Sequence, residues 1–382
     1  MSGVLETGRG FRAVIACGGT GGHLFPGLAV AEELRDRGHE VLLAVSEKEI
    51  DSVALQGRSE FRYEKLPSVG MPSALSPAIL RFLQRTWESF GYCRQLFRRY
   101  RPSVVLGMGG FTSTAPLFAG RIQKLPTLIH ESNAIPGRAN RLSARFVTRI
   151  LLGFERCVEG FPGQDCVVTG TPVRRDLGRG IERKEALAKL KFSDERPVLL
   201  VMGGSQGAAG VNRLLFKSAY LFKESGVQII HLTGERDDQL AAANYQREGL
   251  VHFVAPFYHR MEELYSAADL VISRAGAASL SEISHFGLPS ILIPYPYASD
   301  DHQTVNARIF ADAGAAEVWR ESEVLPEAFA ALVCNLLIDE RRREAMASAA
   351  RGILRADAAA NVADEVERVV RSWHLVPGRR RA

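Results

Sequence analysis

The sequence predicts an α/β protein made of two doubly wound parallel sheets, each the core of its own domain. Three observations carry this. Apolar runs of four to seven residues alternate with helical stretches, the pattern of β-α-β units whose strands are buried on both faces. The alternation breaks around residues 168–175, a Gly/Pro-containing extended piece suited to a hinge, and then restarts. Glycine-rich turns follow strands in both halves: Gly18-Gly19-Thr20-Gly21-Gly22 and Gly107-Met108-Gly109-Gly110 in the first, Gly203-Gly204-Ser205-Gln206-Gly207 in the second. A chain of 382 residues is also longer than one hydrophobic core usually serves.

In the first half, strands are expected at 11–17, 39–45, 61–66, 103–106, 127–130 and 149–152, with helices at 26–37, 78–100, 113–124 and 137–146. In the second, strands are expected at 197–201, 227–232, 250–254, 270–273, 289–293 and 316–319. Helices fall at 208–223, 237–246, 261–267, 277–286 and 304–313, and three more close the chain at 327–337, 340–354 and 358–373. Domains of 11–172 and 173–355 follow, with a last helix near 356–374 expected to return to the first. Two such domains are expected to face each other across a cleft, because open α/β sheets bind ligands beyond the C-terminal ends of their strands.

Composition narrows the function. The five cysteines, at 17, 93, 157, 166 and 334, never form a C-x-x-C pair, which points to a reducing compartment and away from zinc. The first ten residues lack a signal-peptide pattern, and no apolar run approaches the roughly 20 residues needed to span a bilayer. A cytoplasmic location without membrane crossing is therefore expected. There is no G-x-x-x-x-G-K-[ST], no H-E-x-x-H and no Asp-x-Asp, so neither a P-loop NTPase nor recognisable metal chemistry is encoded. No cofactor and no metal are expected. Glu47, at the end of the second strand, is placed like a ribose-binding acid, but the first turn lacks the third fingerprint glycine.

The net charge of +5 is modest, yet residues 78–101 hold six arginines and one acid, Glu88. No nucleic-acid partner is expected. Apolar residues, among them Ile79, Phe82, Trp87, Phe90 and Phe97, fall there at helical spacing. Two readings follow: a core helix with a basic solvated face, or a surface that meets an anionic membrane through Ile79, Phe82, Arg85 and Trp87. The loop at 67–72 would lie beside such a surface.

The residues that bear chemistry gather at strand ends. Glycine-rich turns ahead of helices leave backbone amides open to a phosphate or diphosphate. Ala277, Ala278, Ser279, Leu280 and Ser281 open a helix whose amides suit the same ligand, and Glu282 inside it is able to accept both hydroxyls of a ribose. Gln303 is suited to sugar hydroxyls, Asp301 or a neighbour to capping the next helix, and Asn133 offers a side-chain amide. His23 ends the first turn. An unperturbed imidazole suits general-base work near neutrality; equally, His23 orients the turn or an acceptor diphosphate.

Taken in order, Gly18 to His23 with Pro26-Gly27, Gly107 to Gly110, His130-Glu131-x-Asn133, Gly170-x-Pro172-Val173-Arg174, Gly203 to Gly207, Arg274-x-Gly276-Ala277 to Glu282 and Asp301-His302-Gln303-Thr304 resemble the MurG family. These bacterial enzymes add N-acetylglucosamine from UDP-GlcNAc to undecaprenyl-diphospho-N-acetylmuramoyl-pentapeptide (lipid I), giving lipid II for peptidoglycan. The resemblance covers roughly residues 11–370. It implies a GT-B fold, an inverting transfer, peripheral attachment at the cytoplasmic membrane face and a link to the cell-wall synthesis machinery. It also implies that Thr20, Gly21, Gly22 and Asn133 contact sugar donor and acceptor diphosphate, and that Arg174 and Ser205 contact the donor diphosphate. The start of the 277–282 helix would grip the nucleotide, with Glu282 on the ribose and Gln303 on the GlcNAc hydroxyls. Thr304 stands where some relatives have a second glutamine, Tyr258 where the family packs an apolar residue against uracil, and Phe111 where a tyrosine is often found. A UDP-GlcNAc 2-epimerase of similar architecture, or a non-catalytic sugar-nucleotide or membrane adaptor, would keep many of these features.

Overall fold

The computed structural model describes residues 10–47, 61–67, 76–178, 180–203, 207–323 and 325–375. The chain divides into two units, Met1–Arg174 with Asp357–Ala382, and Arg175–Ala356.

The first unit runs β1 (Arg12–Ala16), α1 (Gly21–Asp36), β2 (Glu40–Ser46), β3 (Arg62–Leu66), α2 (Ala78–Tyr100), β4 (Val104–Gly107), α3 (Phe111–Ile122), β5 (Thr127–Glu131), α4 (Arg138–Ser143), β6 (Arg149–Leu152) and β7 (Cys166–Val168). The strands form one sheet in the order β3-β2-β1-β4-β5-β6-β7, and every neighbouring pair is parallel. Successive strand residues point to opposite faces. Ala13, Ile15, Val41, Leu43, Val104 and Leu106 accordingly pack with Leu24, Leu28 and Leu34 of α1. Val14, Ala16, Leu42 and Val105 pack with Phe90, Cys93 and Phe97 of α2 and Ala115 and Leu117 of α3.

The second unit runs α5 (Arg183–Leu190), β8 (Val198–Met202), α6 (Ala209–Ser218), β9 (Gln228–Leu232), α7 (Asp238–Arg247), β10 (Val251–Ala255), α8 (Met261–Ala267), β11 (Leu270–Ser273), α9 (Ala277–Phe286), β12 (Ser290–Leu292), α10 (His302–Asp312), β13 (Ala316–Val318), α11 (Pro326–Ile338) and α12 (Glu340–Ile353). Its strand order, β10-β9-β8-β11-β12-β13, repeats the first pattern, and all pairs are again parallel. Leu199, Val201, Ile229 and Ile272 pack with Phe222, Tyr245, Phe329 and Val333.

The chain ends in α13 (Ala358–Leu375), which belongs to the first unit. Val362, Ala363, Val366, Val369 and Val370 join the core that α1 covers. Around them Arg37 Nη1 meets Asp364 at 2.5 Å, His39 Nε2 meets Glu367 at 3.2 Å, and Arg149 Nη1 meets Glu365 at 2.6 Å.

Three differences from the sequence-based expectation have physical causes. α1 begins five residues before the expected start at 26, because proline prefers a helix's first position while Pro26 here lies past the first turn. β7 is a half-buried edge strand whose apolar run is only three residues long, too short to announce it. α5 is short and half charged, burying only Ala186, Leu187 and Leu190.

Candidate active site

In each sheet the strand order reverses direction beside the first strand of the unit, between β1 and β4 and between β8 and β11. Such switch points open a crevice at the strand ends. The glycine-rich turns occupy them: 17–20 after β1, 108–110 after β4, the turn after β8, and 274–276 after β11.

In the first unit, α1 starts at Gly21 with Thr20 as its N-cap. Thr20 makes no side-chain cap bond, and the first turn carries no acid. Thr20 is exposed and Gly22 half-buried, so the helix start is accessible. His23 rests on the second glycine turn. A Cβ at Gly109 would stand 2.9 Å from His23 Cε1, and one at Gly110 would stand 3.3 Å from Cδ2. Both glycines also have positive φ, +103° and +71°, so the ring's seat requires them twice over. Arg174 lies with its guanidinium carbon 4.6 Å from the Phe25 ring centroid, beside the same helix start.

Asn133 is set by a carboxylate. Glu131 Oε1 accepts from the Asn133 backbone N–H (2.9 Å) and Nδ2 (3.1 Å), while Oε2 accepts from Gly137 N (2.8 Å) and Asn140 Nδ2 (2.9 Å). His130 is fully buried, its Nε2 2.9 Å from Gly170 O and its Nδ1 3.3 Å from Ser132 Oγ. Burial lowers its pKa, so it holds the loop as a neutral group. The sequence reading named Glu131 only within its motif and passed over Asn140, because only the fold turns both toward one loop.

In the second unit, Gly203 and Gly207 flank the turn after β8; Ser205 lies outside the described residues. α9 begins at Ala277 after Gly276, with no side-chain cap and no acid in its first turn. Leu280 is buried, and Ser281 Oγ bonds to Ala277 O at 2.9 Å. What those two positions offer a ligand is therefore backbone. Ala278 and Ser279 are half-buried. Glu282 Oε2 accepts a 2.6 Å hydrogen bond from the hydroxyl of Tyr265, whose ring is buried and stacked on Phe286. Tyr265 on α8 thus fixes one carboxylate oxygen of Glu282.

Gln303 Oε1 accepts from Tyr295 N at 3.0 Å, and Thr304 Oγ1 donates to Asp301 Oδ1 at 2.6 Å. Asp301 is the N-cap of α10 but makes no side-chain cap bond; it and Asp300 adopt left-handed backbone, φ +52° and +53°. Tyr258 donates to Glu263 Oε2 at 2.5 Å and meets Phe253 edge-on, so the ring is held and its hydroxyl engaged. Phe257 beside it is the exposed aromatic of this loop. Arg274 is buried, donating to Ile293 O and Pro294 O at 3.1 Å and pairing with Glu321. It braces the end of β11.

α2 serves two purposes. Phe82 is only 8% exposed and packs edge-to-face with Phe111; it is core, which corrects its expected place on a contact surface. Ile79 is half-buried, and Arg85 pairs with Glu88 and Glu47 at 3.4 and 3.8 Å. Trp87 is 72% exposed, alongside exposed Leu80 and Leu83 on α2 and Phe118 and Ile122 on α3. The loop at 68–72 lies outside the described residues. No helix among the described residues is long and apolar enough to cross a membrane, and they contain no group of three or more His, Cys, Asp or Glu side chains able to hold a metal ion.

Comparison with known proteins places this geometry. Residues 13–152 match the glycosyltransferase family 28 N-terminal domain and residues 198–366 its C-terminal domain. The chain is 39% identical to the UDP-N-acetylglucosamine–N-acetylmuramyl-(pentapeptide) pyrophosphoryl-undecaprenol N-acetylglucosamine transferase of Halothermothrix orenii, over 89% of this chain and 94% of that one. It is 37% identical to the enzyme of the same name from Geobacter sulfurreducens, over 93% and 98%. The crystal structure of Acinetobacter baumannii MurG superposes with a TM-score of 0.75 at 27% identity, over 94% of this chain and all of that one. The kitacinnamycin glycosyltransferase, at 18% identity and a TM-score of 0.72, shares the fold. Two parallel sheets with glycine turns at their switch points, and near-full-length identity to named transferases, lead to one conclusion: the chain belongs to the MurG family of glycosyltransferases.

Proposed function

We propose that the protein transfers N-acetylglucosamine from UDP-GlcNAc to the 4-hydroxyl of the N-acetylmuramoyl sugar in a polyprenyl-diphosphate-linked MurNAc-pentapeptide. The observation that carries this reading is the 39% identity over 350 residues to a transferase named for that reaction. The bond from the anomeric carbon to UDP breaks, a bond to the acceptor oxygen forms with inversion, and the hydroxyl proton passes to a base. UDP leaves as an anion.

The second unit takes the donor. Amides at the start of α9 and the glycine turn after β8, with Ser205, face the diphosphate. Losing one such preorganised donor typically costs on the order of 100–1,000-fold in rate. Glu282, oriented by Tyr265, holds the ribose; Tyr258 lies against uracil; Gln303 and Thr304 read the sugar. The first unit takes the acceptor. Thr20, Gly21 and Gly22 receive its diphosphate, Asn133 contacts sugar, and His23 accepts the 4-hydroxyl proton.

The polyprenyl chain of such an acceptor lies in a bilayer, so the enzyme works as a peripheral protein at the cytoplasmic membrane face. Leu80, Leu83 and Trp87, with exposed Arg81 and Arg94 on the same helix, are the contact surface. Incubation with labelled UDP-GlcNAc, with and without a lipid I analogue, tests the reading. Release of UDP and formation of a disaccharide only when the acceptor is present is the expected result. Conversion of UDP-GlcNAc without acceptor would indicate an epimerase, and no turnover at all an adaptor.

A further inference from the structure

Behind the turn that follows β8 lies a buried hydrogen-bond chain to which the reaction assigns no part. It joins Tyr245 on α7, His231 on β9 and Asn212 on α6, exposed by 0%, 0% and 1%. His231 Nδ1 is 2.8 Å from Tyr245 Oη, and Nε2 is 3.1 Å from Asn212 Oδ1. Asn212 Nδ2 donates to Thr233 O at 2.9 Å and to Asp237 Oδ2 at 2.7 Å.

These contacts permit one proton arrangement. Thr233 O and the Asp237 carboxylate only accept, so the Asn212 nitrogen faces them and its oxygen faces His231. Nε2 of the imidazole must then carry the hydrogen, and Nδ1 accepts from the tyrosine hydroxyl. Burial drives the imidazole pKa down to about 3, so the ring stays neutral across the physiological range.

The chain ends at a point of close approach. A Cβ at Gly207 would stand 2.3 Å from Thr233 O and 3.2 Å from Gly234 Cα, and Gly207 has φ +73°. A Cβ at Gly203 would likewise stand 2.4 Å from Ala208 N. The Thr233–Gly234 backbone is thus the wall on which Gly207 seats, and Asn212 holds that wall by its carbonyl.

We propose that Asn212, backed by His231 and Tyr245, is a positioning residue for the donor diphosphate: it fixes the Thr233–Gly234 backbone and, through Gly207, the amides of Gly207 and Ala208 at the head of α6. This rests on the assignment of the backbone ahead of α6 to the diphosphate of UDP. A buried hydrogen bond lost with its partner left in place weakens what it supports by about tenfold. In the full-length protein, Asn212→Ala is therefore expected to raise the Kd for UDP and the KM for UDP-GlcNAc about tenfold, with kcat at saturating donor changed less than threefold. The Kd for uridine, which has no diphosphate, is expected to be unchanged.

Titration calorimetry with UDP and competition binding with uridine measure both, and circular dichroism confirms the fold. Where Asn212→Ala fails to fold, Tyr245→Phe removes one hydroxyl from the far end of the chain; a twofold to threefold loss for UDP alone is expected. Equal losses for UDP and uridine, or no loss for either, would overturn the proposal. So would an Nδ1–H tautomer of His231 in ¹⁵N NMR of the unaltered protein. Failure of the unaltered protein to bind UDP would overturn the donor assignment and this inference together; the other adverse outcomes overturn this inference alone.

Discussion

Two side chains carry most of the proposed chemistry, and each depends on a neighbour that fixes its placement. His23 lies over Gly109 and Gly110, whose missing side chains make room for the ring. A positioned general base typically contributes 10²–10⁴-fold, so His23→Ala is expected to lower kcat by about that range while donor KM stays within threefold, as steady-state kinetics on a soluble lipid I analogue would measure. Near-normal turnover would remove His23 from the chemistry. Glu282 hangs on Tyr265. Glu282→Ala is expected to weaken UDP binding by about 10–100-fold, the range for a hydrogen bond to a charged group, and Tyr265→Phe by a smaller factor; unchanged affinity by calorimetry would contradict the ribose assignment. Glu282 was legible in the sequence because it follows a strand and a run of small residues. Tyr265 was not, since a tyrosine in an apolar helical segment reads as core. It is core, and its hydroxyl meets Glu282 only because α8 and α9 pack together.

At the scale of the element, the glycine turns and the helix behind them can be separated by experiment. Gly109→Ala would place a methyl group 2.9 Å from the His23 ring at φ +103°. The ring must move, and a displacement of about 1 Å at a reacting group costs roughly 100-fold in rate; a fall of that size in kcat, with UDP affinity kept, is the expected outcome. On α2, buried and exposed apolar residues lie side by side. Phe82, Phe90 and Phe97 are buried, whereas Leu80, Leu83 and Trp87 face out. Burying an apolar side chain of this size contributes about 1.5–3 kcal/mol. Replacing Leu80, Leu83 and Trp87 with serine should therefore abolish co-sedimentation with anionic vesicles while sparing turnover on a soluble acceptor. Unaltered sedimentation would return these residues to the ordinary surface. Periodicity located this helix to the residue but could not tell which apolar residues face the sheet, because that depends on where α3 lies. β7 and α5 left weaker traces, one because its apolar run is only three residues long and the other for want of buried length.

For the molecule as a whole, the parallel alternation was legible because strands buried on both faces advertise themselves as apolar runs, and the switch points then fixed where the glycine turns lie. Which helix covers which sheet is a long-range pairing with no local signal, though the last helix was expected to return to the first domain; α13 closes the core of a unit whose sheet ended about 190 residues earlier. Its ion pairs give that closure a pH dependence. Burial alone would push the Glu367 carboxyl up, but hydrogen bonds from His39 and Arg37 outweigh it, and the pKa lies below the ordinary 4.5. A depressed carboxylate stabilises the folded state above its unfolded pKa and loses that contribution as pH falls through the folded one. Acidification from pH 5 to 3 should thus loosen α13, seen as a change in Trp373 fluorescence that Glu367→Gln shifts toward neutral pH; a flat trace across that range would remove Glu367 from the anchor. The same late return of the chain sets an order of events during synthesis. At about 5–20 residues per second, the sheet of the first unit emerges roughly 10–40 s before the helix that completes it. Throughout that interval the apolar face awaiting Val362, Val366 and Val369 stands open, while the whole second unit is being made. The first part of the protein to leave the ribosome is thus the last to finish folding, and a chain cut short after the second unit would expose the core of the first.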